Sequence, residues 1–193
     1  MKVAIVILSA GRSTRMGTAK QLLPIGNTTL LGLSIINALQ SRADKVFCVL
    51  GAHAKNIHKT VLQHDIEVIT NANYKEGLSS SIVEGLNHIE DKNFDAVIIM
   101  LGDQPKVDSK YLNILIQSFE NNSNKITASE YSKHSGVPAI FPKLFFKQLK
   151  LLKGDKGAKD FLNTDGISII SIKSEKLIDI DTPEEYLNFL KSL

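Results

Sequence analysis

Residues 3–24 read VAIVILSAGRSTRMGTAKQLLP. Val3 to Leu8 form an unbroken apolar run rich in branched side chains. The run empties into three small residues, Ser9, Ala10 and Gly11. A short run without polar alternation is what a strand buried on both faces of a parallel sheet requires. In such sheets ligands sit beyond the carboxyl ends of the strands, at the topological switch point. The loop that drains this strand is therefore the first place to look for chemistry. Its small residues let the backbone approach a ligand closely, and successive N–H groups can form a concave anion site. Arg12, Arg15 and Lys20 add mobile positive charge, and Gly17 and Pro24 break the chain. The combination suits a polyphosphate. The loop has neither Gly-x-Gly-x-x-Gly nor Gly-Lys-Ser/Thr, so the dinucleotide fingerprint and the Walker loop do not apply. A basic surface loop without a ligand is the competing reading.

Working outward, apolar runs alternate with helix-period segments. Strands are predicted at 3–8, 45–50, 66–70 and 95–101, and helices at 29–41, 55–63, 79–90 and 109–120. This alternation with short connections predicts a doubly wound sheet with right-handed crossovers. Ser79 or Ser80 is the expected N-cap of the 79–90 helix. After residue 125 the rhythm changes. Residues 125–131 and 137–142 read as strands without a full helix between them, which predicts an antiparallel element. Helices near 143–152 and 157–163, a strand at 167–172 and a helix at 183–191 close the chain. Thr182 or Asp181 caps the last helix, with Pro183 in its first turn.

Two carboxylate motifs follow. Asp103 in GDQP stands at the end of the fourth strand, and Asp108 already supplies a cap for the next helix. Asp103 is thus free to be a hard-metal ligand, as when a carboxylate and triphosphate oxygens hold Mg²⁺ together. Asp179 and Asp181 lie in IDIDTPEEY. If the C-terminal strand returns beside strand four, Asp181 approaches Asp103 and shares the metal. NANYKEGLSSS (71–81) opens a helix and offers N–H and hydroxyl groups to a sugar or base. None of the five histidines has metal-site spacing, and His64 and His88 read as surface residues.

The 193 residues, 43% of them hydrophobic, fit one domain with a sizeable core. The net charge of +3 is spread along the chain, so neither a duplex-binding face nor a single-strand platform is expected. Cys48 is the one cysteine and sits in an apolar run. It reads as a buried small hydrophobe in a reducing compartment. No segment reaches the roughly 20 apolar residues that span a membrane, and the N-terminal run is too short for a signal peptide. A cytoplasmic location is expected.

LSAGRSTRMGTAKQLLP resembles the signature of the MobA-like nucleotidyltransferases. GDQP, GVPAIFP, GDKGAK and DIDTPEEY occur in the order of its MocA branch, the molybdenum cofactor cytidylyltransferases. The resemblance covers essentially the whole chain. It implies a single three-layer, Rossmann-like α/β domain over 1–193, mostly parallel, with an antiparallel element in the C-terminal half. It implies transfer of CMP from CTP to the terminal phosphate of the molybdenum–molybdopterin cofactor, with Mg²⁺ and release of pyrophosphate. The partners implied are an NTP, a molybdopterin-type acceptor and a molybdoenzyme or its maturation chaperone, with no nucleic acid and no membrane. Carried over by position, Leu8, Ser9, Ala10 and Gly11 line the nucleotide. Arg15 and Lys20 contact its phosphates and, with Asp103, carry catalysis. Asn71 and Ser80 lie near base or ribose, and Asp103 and Asp181 hold the metal. Two departures stand out. Ser9 replaces the usual alanine, while Ala10, rather than glycine, favours CTP. Val137 stands where many relatives carry histidine, in the half expected to hold the acceptor. Transfer to a sugar or polyol phosphate, use of GTP, and a non-catalytic nucleotide-binding accessory are the alternatives.

Overall fold

Val3–Ser9 forms strand β1, and all seven of its residues are buried. Their side chains divide by parity, as a pleat of period two demands. Val3, Ile5 and Ile7 enter one core cluster, and Ala4, Val6 and Leu8 enter another on the opposite face. The computed structural model describes residues 1–132 and 134–193. After β1 come a hairpin of β2 (Pro24–Ile25) and β3 (Thr28–Thr29), then α1 (Leu30–Leu39), β4 (Lys45–Leu50), α2 (Ala54–Val61) and β5 (Glu67–Thr70). The chain continues through α3 (Leu78–Ile89), β6 (Ala96–Leu101), α4 (Ser109–Asn121), β7 (Ile126–Tyr131) and β8 (His134–Pro142). It closes with α5 (Phe146–Leu149), α6 (Ala158–Leu162), β9 (Ile169–Lys173) and α7 (Pro183–Lys191).

Seven strands form one sheet in the order β5-β4-β1-β6-β8-β7-β9. β1 pairs in parallel with both β4 and β6, so the switch in strand order falls beside β1. The register aligns Ser9 with Leu50, Leu50 with Thr70, and Leu8 with Leu101. Four loops therefore leave the sheet along one rim. β8 runs antiparallel to β6 and β7, which is the antiparallel element expected in the C-terminal half. Helices cover both faces. Leu31 and Ile35 of α1, Ile57 of α2 and Leu112, Leu115 and Phe119 of α4 pack on one. Ile82 and Leu86 of α3, Phe146 of α5 and Leu162 of α6 pack on the other. Each fully buried aliphatic side chain contributes about 1.5–3 kcal/mol. The fold is a three-layer, Rossmann-like α/β sandwich.

Several local expectations are corrected. The helix near 143–152 is a 3₁₀ turn, Lys143–Phe145, followed by the single turn of α5. Only Phe146 and Leu149 in it are buried, too few for a longer packed face. The N-cap of α3 is Gly77, not Ser79 or Ser80. Ser79 instead donates its backbone N–H (3.2 Å) and its Oγ (2.7 Å) to the Gly154 carbonyl. Of the two caps expected for α7, Thr182 is borne out. His88 is half-buried, bonded to Glu67 and edge-on to Phe47, and His64 is half-buried as well. The β2–β3 hairpin, turning at Gly26 with φ +56°, was not expected. No helix among the described residues is long and apolar enough to cross a membrane.

Candidate active site

The loop after β1 is curled by one buried amide. Gln21, 3% exposed, donates Nε2 to the carbonyls of Gly11 (3.1 Å) and Ser9 (3.4 Å). Its Oε1 accepts from Ser13 Oγ at 3.2 Å, and Ser13 Oγ accepts from the Lys20 backbone N–H at 3.2 Å. Met16 pins the outside of the loop against Ile25, Leu30, Ile180 and Phe189. The loop is thus bolted to α1 and α7. Sequence reasoning missed Gln21. Its signal was an amide beside the apolar pair Leu22–Leu23, where a buried polar side chain needs backbone partners.

From this platform Lys20 reaches two carboxylates. Its Nζ donates to Asp103 Oδ2 and, at 2.6 Å, to Asp181 Oδ1. Arg15 Nη2 takes the other oxygen of Asp181 at 2.7 Å. Asp103 leaves the end of β6 through Gly102, whose N–H donates to Leu8 O at 3.1 Å. Asp181 is not delivered by a strand beside β6, as expected, since the last strand, β9, pairs with β7. A non-strand segment brings it there, tied by Ile180 N–H to Asp103 O at 3.0 Å. The capping box of α7 then fixes it. Glu185 Oε2 accepts from the N–H groups of Asp181 and Thr182, each at 2.8 Å.

Burial pushes the Asp103 carboxyl up, Lys20 opposes that, and Asp179 and Asp181 add to it. Burial acts to lower Lys20, but Asp103 and Asp181 outweigh it and hold the ammonium above its usual value. The Lys20 direction reports the pull of the two carboxylates, and the Asp103 direction reports chiefly its burial. Asp103 Oδ1 is buried and has no hydrogen-bond partner among the described residues. Two carboxylates converging within reach of one cation, with a bare buried oxygen between protein walls, fit a hard divalent metal.

The centre forms part of the wall of a cleft of about 580 Å³. Leu8, Ser9, Ala10, Gly11, Arg15, Lys20, Asp103 and Asp181 all border it, and so does Arg12, which has no ion pair among the described residues. Asn71 and Ser80 do not. Asn71 Nδ2 donates to Ser80 Oγ (2.8 Å) and Ser81 Oγ (3.0 Å), and Asn71 and Ser80 border a separate cavity of about 440 Å³. Ser81 faces the cleft instead, beside Gly77, Leu78 and Tyr74.

A second cavity of about 280 Å³ adjoins the cleft and shares Leu8, Leu78, Leu101, Asp155 and Asp179 with it. Val137 and the parallel-stacked rings of Tyr131 and His134, 5.2 Å apart, border it further. Fully buried Gln104 organises this seam. Its Nε2 donates to Asp179 Oδ1 (2.8 Å) and Tyr131 Oη (2.9 Å). Asp179 and Asp181 are thereby separated: one turns to Gln104, the other to Lys20. Sequence reasoning missed Gln104, because a proline-flanked glutamine reads as part of a turn. Among the described residues no cluster of three His, Cys, Asp or Glu side chains could hold a metal alone. A cation held by Asp103 and Asp181 would draw its remaining oxygens from water or a bound phosphate.

Comparison with known proteins fits this geometry. Residues 5–169 match the model of the MobA-like NTP transferase domain. The chain is 32% identical to the purine catabolism protein PucB of Bacillus subtilis, over 94% of this chain and 92% of that one. It is 25% identical to the molybdenum cofactor cytidylyltransferase of Escherichia coli, with the same coverage. Among solved structures, Rv0371c of Mycobacterium tuberculosis superposes with a TM-score of 0.88 at 28% identity, covering 99% of this chain and 98% of that one. A manganese complex of Rv0371c superposes at 0.85 with 27% identity over both whole chains.

Proposed function

We propose that this chain, which belongs to the MobA-like NTP transferase family, transfers CMP from CTP to the terminal phosphate of the molybdenum–molybdopterin cofactor and releases pyrophosphate. The observation that carries the reading is the convergence of Lys20, Asp103 and Asp181 under the small-residue loop Leu8–Gly11. That loop presents backbone N–H groups to the triphosphate. Asp103 and Asp181 would hold a divalent cation, Mg²⁺ in this reading, whose chemistry is to neutralise phosphate charge. Rv0371c, as its manganese complex, supports a metal here. Lys20 and Arg15 stabilise charge on the α-phosphate and the departing pyrophosphate.

An acceptor phosphate oxygen attacks the α-phosphorus, and the bond to pyrophosphate breaks in line. The acceptor is already ionised, so positioning and charge compensation do the work, without a strong general base. The second cavity, joined to the cleft at Asp179, is the place for the acceptor. Ala10 favours CTP over GTP by resemblance. The Escherichia coli relative, named as a molybdenum cofactor cytidylyltransferase and 25% identical over 94% of this chain, supports the molybdopterin acceptor. The acceptor wall at Val137 keeps transfer to a sugar or polyol phosphate as the second reading.

The test is to incubate the protein with CTP or GTP, Mg²⁺ and molybdenum cofactor and to follow pyrophosphate. Release with CTP and the cofactor is expected. Release only with a sugar or polyol phosphate would move the assignment to that acceptor. No release with any nucleotide and acceptor would leave a non-catalytic nucleotide-binding protein.

A further inference from the structure

We propose that Lys20 is a built-in occupant of the cation site, filling the place between Asp103 and Asp181 until a metal and a nucleotide enter together and displace it. The inference rests on the reading of these two carboxylates as ligands for a divalent cation. Lys20 Nζ bonds both of them. The Lys20 and Asp103 side chains are only 14% and 15% exposed, so this is not a solvated surface pair of negligible weight. Arg15, on the outer oxygen of Asp181, is 70% exposed and is the loosely held cation.

The charge inventory of the cleft points the same way. Arg12, Arg15, Lys20 and Lys75 face Asp103, Asp155, Asp179 and Asp181, which is formally neutral. A free divalent cation entering alone gains no net attraction and must break the Lys20 pair. A triphosphate entering alone finds that same lysine engaged. Arriving together, they exchange partners: the carboxylates turn to the metal and the ammonium turns to phosphate. The ammonium and the carboxylates then each keep a partner of opposite charge. Ser13 Oγ holds the Lys20 backbone N–H at 3.2 Å, so the exchange needs only a swing of the side chain. Asp103 Oδ1, buried and without a partner among the described residues, is an oxygen that Lys20 leaves open. Metal and nucleotide thus bind with positive coupling, and the coupling is reciprocal.

The experiment titrates Mn²⁺ by the electron paramagnetic resonance signal of the free ion, without nucleotide. It compares the wild type, Lys20→Met and Lys20→Gln, with thermal melts to show that each is folded. Removing the lysine should tighten Mn²⁺ binding by about ten-fold, in the usual range for coupled sites, although the same change damages phosphate binding. Adding CTP should raise Mn²⁺ affinity more in the wild type than in either variant. Equal or weaker Mn²⁺ binding in both Lys20 variants would overturn the exchange. Introducing Asp103→Asn into Lys20→Met separates the two claims. If Mn²⁺ binding then persists unchanged, the metal reading falls and the exchange with it.

Discussion

Lys20 meets Asp103 and Asp181 across 83 and 161 positions of sequence. Asp181 is the member whose ionisation is most exposed to test. Burial acts to raise its carboxyl, but the hydrogen bond and charge of Lys20, then Arg15, outweigh burial and hold it below 3.8. A carboxyl depressed in the folded state stabilises it above the unfolded value, and that stabilisation is lost as pH falls through the folded value. Denaturant midpoints of the wild type and Asp181→Asn should therefore differ at neutral pH and converge as pH drops below about 4. A gap that is constant from pH 7 to pH 3 would remove the ion pair from the account. Lys20 and Asp103 could be picked out in the sequence because each follows a strand end. Gln21 and Gln104 could not. A buried amide is recognised by the carbonyls and carboxylates it meets, and those partners come from distant turns.

Among the elements, the approach of α3 to the loop at 154 shapes the cleft. Gly77 adopts φ +103°, and a Cβ there would collide with the backbone of Gly154 and Asp155. Gly77→Ala should cost about 1–3 kcal/mol in a denaturation experiment, from left-handed strain plus the displaced loop. Gly11→Ala is the control. No atom lies within 4 Å of a Cβ at Gly11 and its φ is ordinary, so its stability should stay near that of the wild type. Equal stability for the two variants would contradict the packing described for Gly77. The serine-rich start of this helix misled sequence reasoning for the same reason. A serine is a good cap only where its own hydroxyl is the nearest acceptor, and here the Gly154 carbonyl serves Ser79. The parallel strands, by contrast, were legible, because burial on both faces leaves an unbroken apolar run. α5 was misjudged in length, since its spacing is helical but only one turn finds a core to cover.

Over the whole molecule, the doubly wound sheet gathers the ends of β1 and β6 at the switch in strand order, and the C-terminal segment closes the site from outside. The doubly wound architecture followed from the alternation of strands and helices, whereas the strand order comes from the structure alone. The path of residues 174–182 did not, because it is held by single hydrogen bonds and by Ile180 in a small core, not by a strand pattern. What this architecture is for turns on Asp103, the half-buried carboxylate at its centre. The direct measurement is pyrophosphate release from CTP, molybdenum cofactor and ordinary Mg²⁺ by Asp103→Asn, beside its melting temperature. Turnover should fall by at least about a hundred-fold, as for loss of a main electrostatic group, while the protein melts cooperatively as a folded chain. Near-normal turnover in that folded variant would contradict nucleotidyl transfer at this centre.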